Sequence, residues 1–385
     1  MSHEYTPGDY DAMFADAVRT PAYLAAIRAT VGPDDVVVEI GSGTGYFAVA
    51  AAQAGARHVY AIERGPAAAL VEAVVRENGC EHRVTCVRGD SMRVTLPERG
   101  TILLSDLRGA LPLHGTSVAA IIDARYRLLV PGATIIPARD VVVAAPCVAP
   151  RDWAAVELQL GDRPHGISRR ALSRVARATL QRDRVAPDGL LASPARVAEL
   201  DYATIASPDV DNQMSWEARR DGRAEGLLLW FETMLAPGVG YATGPAGPPT
   251  VYGMGFLPFA RTLDVRRGDH LDCRLRATLV DTEYVFAWDT THTPTEGPAA
   301  TLRQSSLDAL ALSPGDLAAL RPSHAPSPGP LRLIQALVGL VDGRRTLEQI
   351  AAAMHAHEPG RFATQAEAQA WVTKTLAALR QLRDS

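Results

Sequence analysis

A glycine-rich stretch near the start of the chain, Asp34 to Gly45 (DDVVVEIGSGTG), constrains the fold more than any other part of the 385-residue sequence. Val36 to Ile40 is a mostly β-branched apolar run, which is typical of a strand buried on both faces. The three glycines that follow allow the backbone to turn sharply and to approach a ligand closely. A helix is predicted directly after them, with its N-terminus pointing back at the turn. The stretch therefore predicts a nucleotide-type site at the end of a first strand.

The spacing of these glycines distinguishes between two classes of nucleotide cofactor. It is G-x-G-x-G, preceded by the acid Glu39, whereas the dinucleotide fingerprint is G-x-G-x-x-G. The pattern therefore favours S-adenosylmethionine over NAD. The same glycines could form an ordinary tight turn, so the cofactor prediction depends on the residues that follow.

Strands and helices alternate after the glycine turn. Two short helices are expected before it, between Tyr10 and Ala29, with an interruption at Pro21. The alternation is typical of a parallel, doubly wound sheet. The predicted strands after the first are His58–Glu63, Arg83–Gly89, Thr101–Leu107 and Ala133–Pro137, and the predicted helices are Tyr46–Ala54, Pro66–Asn78 and Ser117–Leu129.

Three acidic residues close or follow successive strands of this predicted sheet. In such a sheet, ligands bind beyond the carboxyl ends of the strands. Glu63 closes the second strand about twenty residues past the glycine turn, where a carboxylate can accept hydrogen bonds from both ribose hydroxyls. Asp90 follows the third strand and can reach an adenine edge, while Asp106 ends the fourth strand, where the chemistry would occur. Each acid alone could merely cap a helix, but the set indicates a nucleoside site.

The bulk composition excludes several classes of protein. A hydrophobic content of 47%, a charged content of 21% and a net charge of −4 describe a mildly acidic globular chain and do not indicate nucleic-acid binding. The four cysteines have no C-x-x-C spacing, so neither a metal site nor a disulfide framework is expected. Neither a secretion signal nor an apolar run of membrane length is evident, which predicts a cytoplasmic protein without a membrane partner.

Four strings occur in a characteristic order and spacing: YDAMFADAVRTPAYLAAI, VVVEIGSGTGYFAVAAAQAGARHVYAIE, ILLSDLRG and LLVPGATIIPAR. They make residues 10 to 148 resemble the catalytic half of the protein arginine methyltransferase family. The resemblance implies a Rossmann-like fold that transfers a methyl group from S-adenosylmethionine.

The resemblance also implies roles for single residues. Arg19 would bind the methionine carboxylate of the cofactor, with Met13 packed beside it, although Arg19 could instead be an exposed helix charge. Glu63 would bind the ribose diol, and Asp90 with Ser91 would flank the adenine. The methionine and ribose would be lined by residues at the ends of the first and fourth strands, namely Glu39, Gly41, Ser42, Gly43, Thr44, Gly45 and Ser105.

Two further stretches resemble the β-barrel domain of the same family. Asp140 to Val148 (DVVVAAPCV) resembles its first strand, and residues 255 to 288 resemble its later part, with a hairpin turn at Arg267 to Asp269. Between them, Arg151–Val185 and Pro194–Leu235 are predicted to be mostly helices and loops. The expected domains are N-terminal helices at 1–30, a Rossmann-like cofactor domain at 31–139, a β-barrel-like substrate domain with a helical insertion at 140–290, a linker at 291–330 and a small helical domain at 331–385.

The loop after the fourth strand, SDLRGALPLHG, departs from the family pattern. The family has two glutamates there that grip the substrate guanidinium, but here Asp106 stands at the first and Gly115 at the second. Arg108 adds a positive charge between them. The threonine-histidine-tryptophan loop of the family would precede Val251, where this chain has GPAGPPT. A guanidinium, with a pKa above about 12, needs well-placed carboxylates, so this loop does not favour protein arginine as the acceptor.

Several residues near this loop are candidates for catalysis or substrate binding. Methyl transfer from a sulfonium needs an acceptor that is close, aligned, shielded from water and unprotonated. Asp106 is the first candidate for orienting or deprotonating an amine, unless it only caps the loop. His114 is a second candidate base, although a lone histidine is more often a surface residue. Arg108 could bind a substrate carboxylate, and His165 could border the substrate site.

The tail beyond a Thr-, Pro-, Ser- and Gly-rich segment predicts a compact helical unit. A helix, a DGRR turn, a second helix capped by Thr346 and a final helix follow one another. The string LVDGRRTLEQIAAAM resembles the small PqqD-like winged-helix domains, which bind leader peptides in ribosomal-peptide modification. This resemblance implies a leader peptide as partner, and a packing or dimerising tail is the alternative interpretation.

The sequence thus predicts an α/β enzyme with a Rossmann-like S-adenosylmethionine methyltransferase domain, a β-barrel-like domain and a winged-helix-like helical C-terminal domain. The expected substrate is a peptide, a ribosomal natural-product precursor, methylated on nitrogen. A small molecule such as free arginine or another amino acid, and a carboxylate oxygen, are the alternative acceptors. A non-catalytic cofactor-binding scaffold is the alternative from another class. A homodimer is compatible with the sequence.

Overall fold

The structure is a computed structural model that describes residues 5–154, 167–168, 170–310, 332–342, 344–357, 361–362 and 364–384. Everything below concerns these residues.

A five-stranded parallel sheet forms the first half of the molecule. Its strands are β1 (Val36–Ile40), β2 (His58–Glu63), β3 (Val84–Arg88), β4 (Gly100–Ser105) and β5 (Leu129–Ile136), in the order β3-β2-β1-β4-β5. All five residues of β1 are buried, as expected for the central strand of a sheet covered on both faces. The predicted Rossmann-like α/β fold is confirmed, with strand ends within a few residues of those expected.

Five helices accompany this sheet: α1 (Pro7–Phe14), α2 (Arg19–Thr30), α3 (Tyr46–Gln53), α4 (Ala68–Glu77) and α5 (Ser117–Arg127). Two helices were expected before β1 with a break at Pro21, but the break lies earlier and Pro21 sits in the first turn of α2. A proline is tolerated there because its missing N–H would have no partner within the helix. Asp16 marks the start of α2, since its Oδ1 accepts hydrogen bonds from the backbone N–H groups of Val18 and Arg19 at 2.8 Å.

Two antiparallel sheets form the second half. The first contains β6 (Arg139–Cys147), β7 (Gln181–Asp183), β8 (Ala195–Asp201), β10 (Gly222–Ala236) and β12 (Met254–Val265) in the order β7-β12-β10-β6-β8, with β11 (Val239–Ala242) also paired to β10. The second contains β9 (Val210–Glu217), β13 (His270–Val280), β14 (Glu283–Thr293) and β15 (Ala300–Ser305) in the order β15-β14-β13-β9. One apolar core joins both sheets to the α5 face of the parallel sheet, through residues such as Ile121, Leu227 and Trp288.

Two sequence predictions for this half were wrong. Pro194–Leu235, predicted as mostly helix and loop, contains β8, β9 and most of β10. Met214 and Trp216 on β9 are buried while their neighbours face solvent, which is the alternation of a half-buried strand. The segment 291–330, predicted as linker, begins with the end of β14 and contains β15, and residues 311–331 lie outside the described part. Within 151–185, the helix α6 (Arg170–Arg177) and strand β7 are described, and residues 155–166 are not.

Three helices follow in the tail: α7 (Arg332–Leu340), α8 (Leu347–His357) and α9 (Gln365–Asp384). They enclose an apolar cluster that includes Leu337, Met354 and Phe362. Ile334 also packs against Val280 and Val285 at the tip of the β13–β14 hairpin, so this helical module is docked on the second half. The described residues of the module contain no strand, and its winged-helix identity stays a prediction. Among the helices described in the whole chain, none is both long and apolar enough to span a membrane.

Candidate active site

The glycine turn lies at the carboxyl edge of the parallel sheet, between β1 and α3. Gly41, Gly43 and Gly45 have φ values of 71°, 57° and 83°, in the left-handed region that favours glycine. Glu63, at the end of β2, fixes this turn from the side. Its Oε2 accepts a hydrogen bond from the Gly43 N–H at 2.9 Å, and its Oε1 accepts one from the Gly65 N–H at 2.6 Å. The carboxylate is thereby held at the place where a ribose diol was predicted to bind.

Side chains from α1 and from the loop after β4 close over the same turn. A Cβ atom added at Gly41 would lie 2.2 Å from Cδ2 of Leu107, and one added at Gly43 would lie 2.9 Å from Cε1 of Tyr10. Larger residues at either position would therefore collide with the walls of the site. The glycine turn with Tyr10 and Leu107 forms a narrow cradle, in which the positive φ values disfavour any larger residue.

Glu39, the acid before the turn, is 3% exposed, and its Oε2 atom has no hydrogen-bond partner among the described residues. Burial raises the pKa of Glu39 to about 8. A buried carboxyl oxygen without a partner is costly unless a ligand supplies a donor. Glu39 thus fits the prediction that it lines a polar cofactor.

The other residues predicted to hold the cofactor lie around this cradle. Asp90 follows β3, and its Oδ1 accepts a hydrogen bond from the Met92 N–H at 2.9 Å. Ser91 offers its carbonyl to Arg127 of α5. Met13, on α1, offers its carbonyl to the Nη1 atom of Arg19 at 3.1 Å.

Ser105, the last residue of β4, is 2% exposed. Its carbonyl accepts a hydrogen bond from the Tyr23 hydroxyl at 2.9 Å, and its own hydroxyl has no partner among the described residues. Ser42 is buried and donates to the Ile62 carbonyl, and Thr44 is buried beside it. The structure therefore brings the predicted cofactor residues to one edge of the sheet, while their roles stay predictions.

Asp106 directly follows β4 and is enclosed by three donors. Its Oδ2 lies 2.5 Å from Nε of Arg19, its Oδ1 lies 3.2 Å from Nη1 of Arg108, and the Tyr252 hydroxyl lies 2.7 Å from both oxygens. Burial alone would raise the pKa of Asp106, but the two guanidinium groups and the Tyr252 hydroxyl lower it below its ordinary value. The network therefore favours the ionised form of Asp106 and fixes the orientation of its carboxylate.

Arg108 is the centre of a second buried pair. Its Nε and Nη2 atoms contact the two carboxylate oxygens of Asp140 at 2.8 Å each, and its side chain is 3% exposed. Its remaining N–H groups reach the hydroxyls of Tyr23 and Thr233 and the carboxylate of Asp106. No donor of Arg108 is left to bind a substrate carboxylate, so we infer a structural role for it. Two aspartates and two arginines thus balance one another inside the molecule.

Several members of this network were not among the residues predicted from the sequence. Three of them are buried: Tyr252 is 6% exposed, and Tyr23 and Asp140 are 0% exposed. Each donates a hydrogen bond to, or accepts one from, Arg19, Arg108 or Asp106. Tyr241 extends the network, since its hydroxyl lies 3.1 Å from that of Tyr252. Val251 is bound through its N–H to Asp16, which brings the segment before β12 against the start of α2. The segment GPAGPPT, which replaces the threonine-histidine-tryptophan loop of the family, is therefore followed by a tyrosine that contacts Asp106.

His114 lies in the same loop as Asp106, with its ring against Gly109. Part of the residue is exposed to solvent, but its ring packs against the loop, and this desolvation lowers the pKa of His114. The lowered pKa favours the neutral imidazole, which is the form that a general base needs. His165 lies outside the described residues.

Two family models match the chain. The model described as the TRM5/TYW2 methyltransferase domain matches residues 11–105, and the arginine methyltransferase oligomerization subdomain matches residues 143–289. Protein arginine N-methyltransferase 1 of Chlamydomonas reinhardtii is 28% identical over 252 residues, which are 63% of this chain and 72% of that protein. The probable protein arginine N-methyltransferase 6 of Arabidopsis thaliana is 26% identical over 257 residues, which are 64% of this chain and 57% of that protein.

Solved structures share the fold. A PRMT1 enzyme–prozyme heterotetramer of Trypanosoma brucei with AdoHcy superimposes with a TM-score of 0.71 at 21% identity, over 77% of this chain and 98% of that one. Arabidopsis thaliana protein arginine methyltransferase 10 gives 0.64 at 22% identity, over 77% and 96%. The fold, the cradle and these matches together make the chain an S-adenosylmethionine-dependent methyltransferase. Its two-part architecture is similar to that of the protein arginine methyltransferases.

We expect Asp140→Asn to lower the free energy of unfolding by about 3 to 5 kcal/mol, because it leaves the buried Arg108 guanidinium without its compensating charge. Urea unfolding followed by tryptophan fluorescence measures the change. Asp264→Asn, at an exposed position on β12, is the matched control. Equal stability of the two variants would contradict the structural role of the Arg108–Asp140 pair.

Glu39 gives the cofactor-free protein a distinct pH dependence. The folded pKa is about 8 against an ordinary 4.5, so the folded state retains a proton that the unfolded chain releases. The free energy of unfolding should therefore fall as the pH rises from 4.5 to 8, by up to about 1.4 kcal/mol per pH unit. Glu39→Gln should remove this slope. Urea unfolding at several pH values tests it, and identical slopes for the two proteins would show that Glu39 titrates normally.

Proposed function

We propose that this chain transfers a methyl group from S-adenosylmethionine to a nitrogen atom of a peptide or protein side chain. The observation that carries the proposal is the buried, ionised Asp106 at the carboxyl end of β4, beside the cradle. The relatives are named protein arginine N-methyltransferases, which supports a nitrogen acceptor and a polypeptide substrate.

The cradle residues fit the cofactor in distinct ways. Arg19 would bind its carboxylate, Glu63 its ribose diol, and Glu39 the polar groups between them. When bound, the cofactor supplies a sulfonium methyl group that needs no further activation. The protein has to hold the acceptor nitrogen in line with that methyl carbon and keep water out.

Asp106 orients the acceptor in this proposal and does not take its proton. Its lowered pKa makes it a weak base, but its fixed negative charge attracts an N–H group and aligns the nitrogen lone pair. Bound in the cradle, the cofactor would supply its methyl group to the nitrogen and would keep the electron pair of its S–C bond. The proton leaves the nitrogen to solvent, with the neutral imidazole of His114 as the candidate relay.

Arg19 links the carboxylate that orients the acceptor to the part of the site that would bind the cofactor. Its Nε contacts both Asp106 and the Tyr252 hydroxyl, and its Nη1 contacts the carbonyl of Met13 on α1. The same guanidinium would therefore orient both the Asp106 carboxylate, which positions the methyl acceptor, and the methionine end of the cofactor. Because Arg19 contacts both groups, the methyl donor and the methyl acceptor would lie beside each other.

We further propose that the peptide is the precursor of a ribosomal natural product and that the helical module at 332–384 binds its leader. The PqqD-like string supports this, and so do Val341 and Leu347 beside the turn between α7 and α8, which are 44% and 46% exposed. The test assays the full chain with candidate precursor peptides, each with and without its leader half. Loss of turnover without the leader would support the proposal, and equal turnover would refute it.

The proposed activity is tested with wild-type protein, Glu63→Ala and Asp106→Asn. Glu63→Ala should weaken S-adenosylhomocysteine binding by about 1.5 to 3 kcal/mol, the range for a hydrogen bond to a charged group. Asp106→Asn should abolish methyl transfer while the dissociation constant stays within a few fold. Calorimetry and mass spectrometry of candidate acceptors measure the two effects.

Glu77→Ala, at the exposed end of α4, is the control for Glu63→Ala. Cofactor binding without transfer to any acceptor would identify a scaffold. Transfer to free arginine or another amino acid but not to peptides would identify a small-molecule enzyme. A methyl ester product would place the acceptor on oxygen.

A further inference from the structure

Both carboxylate oxygens of Asp106 are already fully hydrogen-bonded within the chain. A carboxylate offers about four lone pairs, two on each oxygen. The Oδ2 atom contacts Arg19 and the Tyr252 hydroxyl, and the Oδ1 atom contacts Arg108 and the same hydroxyl. Because each oxygen has two donors, an acceptor N–H can reach Asp106 only if one of these three groups gives way.

The two arginines are the groups least able to leave. Arg108 is held in place by both carboxylate oxygens of Asp140, at 2.8 Å each. Arg19 is held by the Met13 carbonyl, at 3.1 Å from its Nη1 atom. The departure of either guanidinium would remove a compensating charge from the buried Asp106 carboxylate, which is strongly unfavourable.

Tyr252 is the donor that can leave, because it is uncharged and has a second partner nearby. Its hydroxyl lies 3.1 Å from the Tyr241 hydroxyl, and the two rings are nearly parallel, with 8° between their planes. Burial raises the pKa of Tyr252 well above its ordinary value, so the phenol keeps the proton that it donates. Since a hydroxyl can rotate and can both donate and accept, the hydrogen bond now given to Asp106 can be given to Tyr241 instead.

The backbone beside Tyr252 is anchored, which confines such a movement to the side chain. The Val251 N–H donates a hydrogen bond to Oδ2 of Asp16 at 2.6 Å, and the Thr250 carbonyl accepts one from Nη2 of Arg184 at 2.7 Å. A hydroxyl that turns away would therefore return to the same place once the acceptor has left.

We propose that Tyr252 is a positioning residue that gates the acceptor site. In the substrate-free protein its hydroxyl occupies the place on Asp106 that the acceptor N–H takes, and it passes its hydrogen bond to Tyr241 when the acceptor binds. A carboxylate acceptor has no hydrogen to offer Asp106 and would leave the hydroxyl in place, so the gate favours nitrogen over carboxylate oxygen. This inference rests on the proposed N-methyltransferase function and specifies how Asp106 becomes available to the nitrogen.

The test compares the wild-type full chain with Tyr252→Phe, Tyr241→Phe and the double variant. The probes are glycine-flanked peptides with a central arginine, lysine, histidine, asparagine or glutamine. For the peptide that the wild type methylates, calorimetry measures binding to protein loaded with S-adenosylhomocysteine. Tyr252→Phe vacates the place on Asp106, so the peptide should bind about two- to tenfold more tightly, the range for one neutral hydrogen bond. Tyr241→Phe removes the alternative partner, so the peptide should bind more weakly by a similar factor.

Two further measurements separate a gate from a structural support. In the double variant the effect of Tyr241→Phe should vanish, because no hydroxyl is left for Tyr241 to receive. The value of kcat should change little in Tyr252→Phe, because the hydroxyl has already left Asp106 when the methyl group is transferred. Tyr284→Phe is the matched control and should leave peptide binding unchanged, since this tyrosine is also 6% exposed but its hydroxyl donates to the Pro208 carbonyl at 2.9 Å.

The remaining outcomes distinguish the two proposals. Unchanged or weaker peptide binding by Tyr252→Phe would show that the hydroxyl supports Asp106 and does not block it, which would overturn the gate while the N-methyltransferase function stands. Unchanged binding in Tyr241→Phe, or an effect of that variant that persists in the double variant, would do the same. Binding of S-adenosylhomocysteine without transfer to any peptide of the panel would refute both.

Discussion

A buried chain of alternating charges, Arg19–Asp106–Arg108–Asp140, is the interaction on which the rest of the structure depends. Each ion is taken out of water, which is tolerable only because each has an opposite charge and further hydrogen bonds at close range. The first three residues belong to the cofactor half and the fourth to β6 of the second half. The network therefore fixes how the two halves meet, and it does so beside the cradle.

The same network sets the chemistry that the site can perform. Asp106 was a candidate base from the sequence, but in this network it is an ionised carboxylate of fixed orientation. The network also uses every N–H donor of Arg108. Proton transfer must then involve another residue, whereas Asp106 can still orient the acceptor. His114 lies in the same loop, and its lowered pKa makes it the candidate for the proton transfer.

The local part of the fold was accessible from sequence because its signals lie within short windows. The run Val36 to Ile40 and its glycines predict a strand, a turn and a helix without reference to any distant residue. The strands from Ala195 to Ala236 were missed because the burial that explains them comes from pairing across long sequence separations. Only the alternating residues of β9 carried a local signal, and β10, buried on both faces, carried none that distinguishes a strand from a helix.

The sequence by itself determined the sheet, the cradle and the acids at the strand ends, because periodicity and glycine spacing act over a few residues. It also showed that a glycine replaces the second glutamate of the family loop. Only the tertiary structure decided the partners of these groups. Tyr252 reaches Asp106 across 146 residues, Asp140 reaches Arg108 across 32, and Thr282 approaches Gly115 from another sheet. Contacts of this kind are set by how the two halves pack, and no local pattern records that packing.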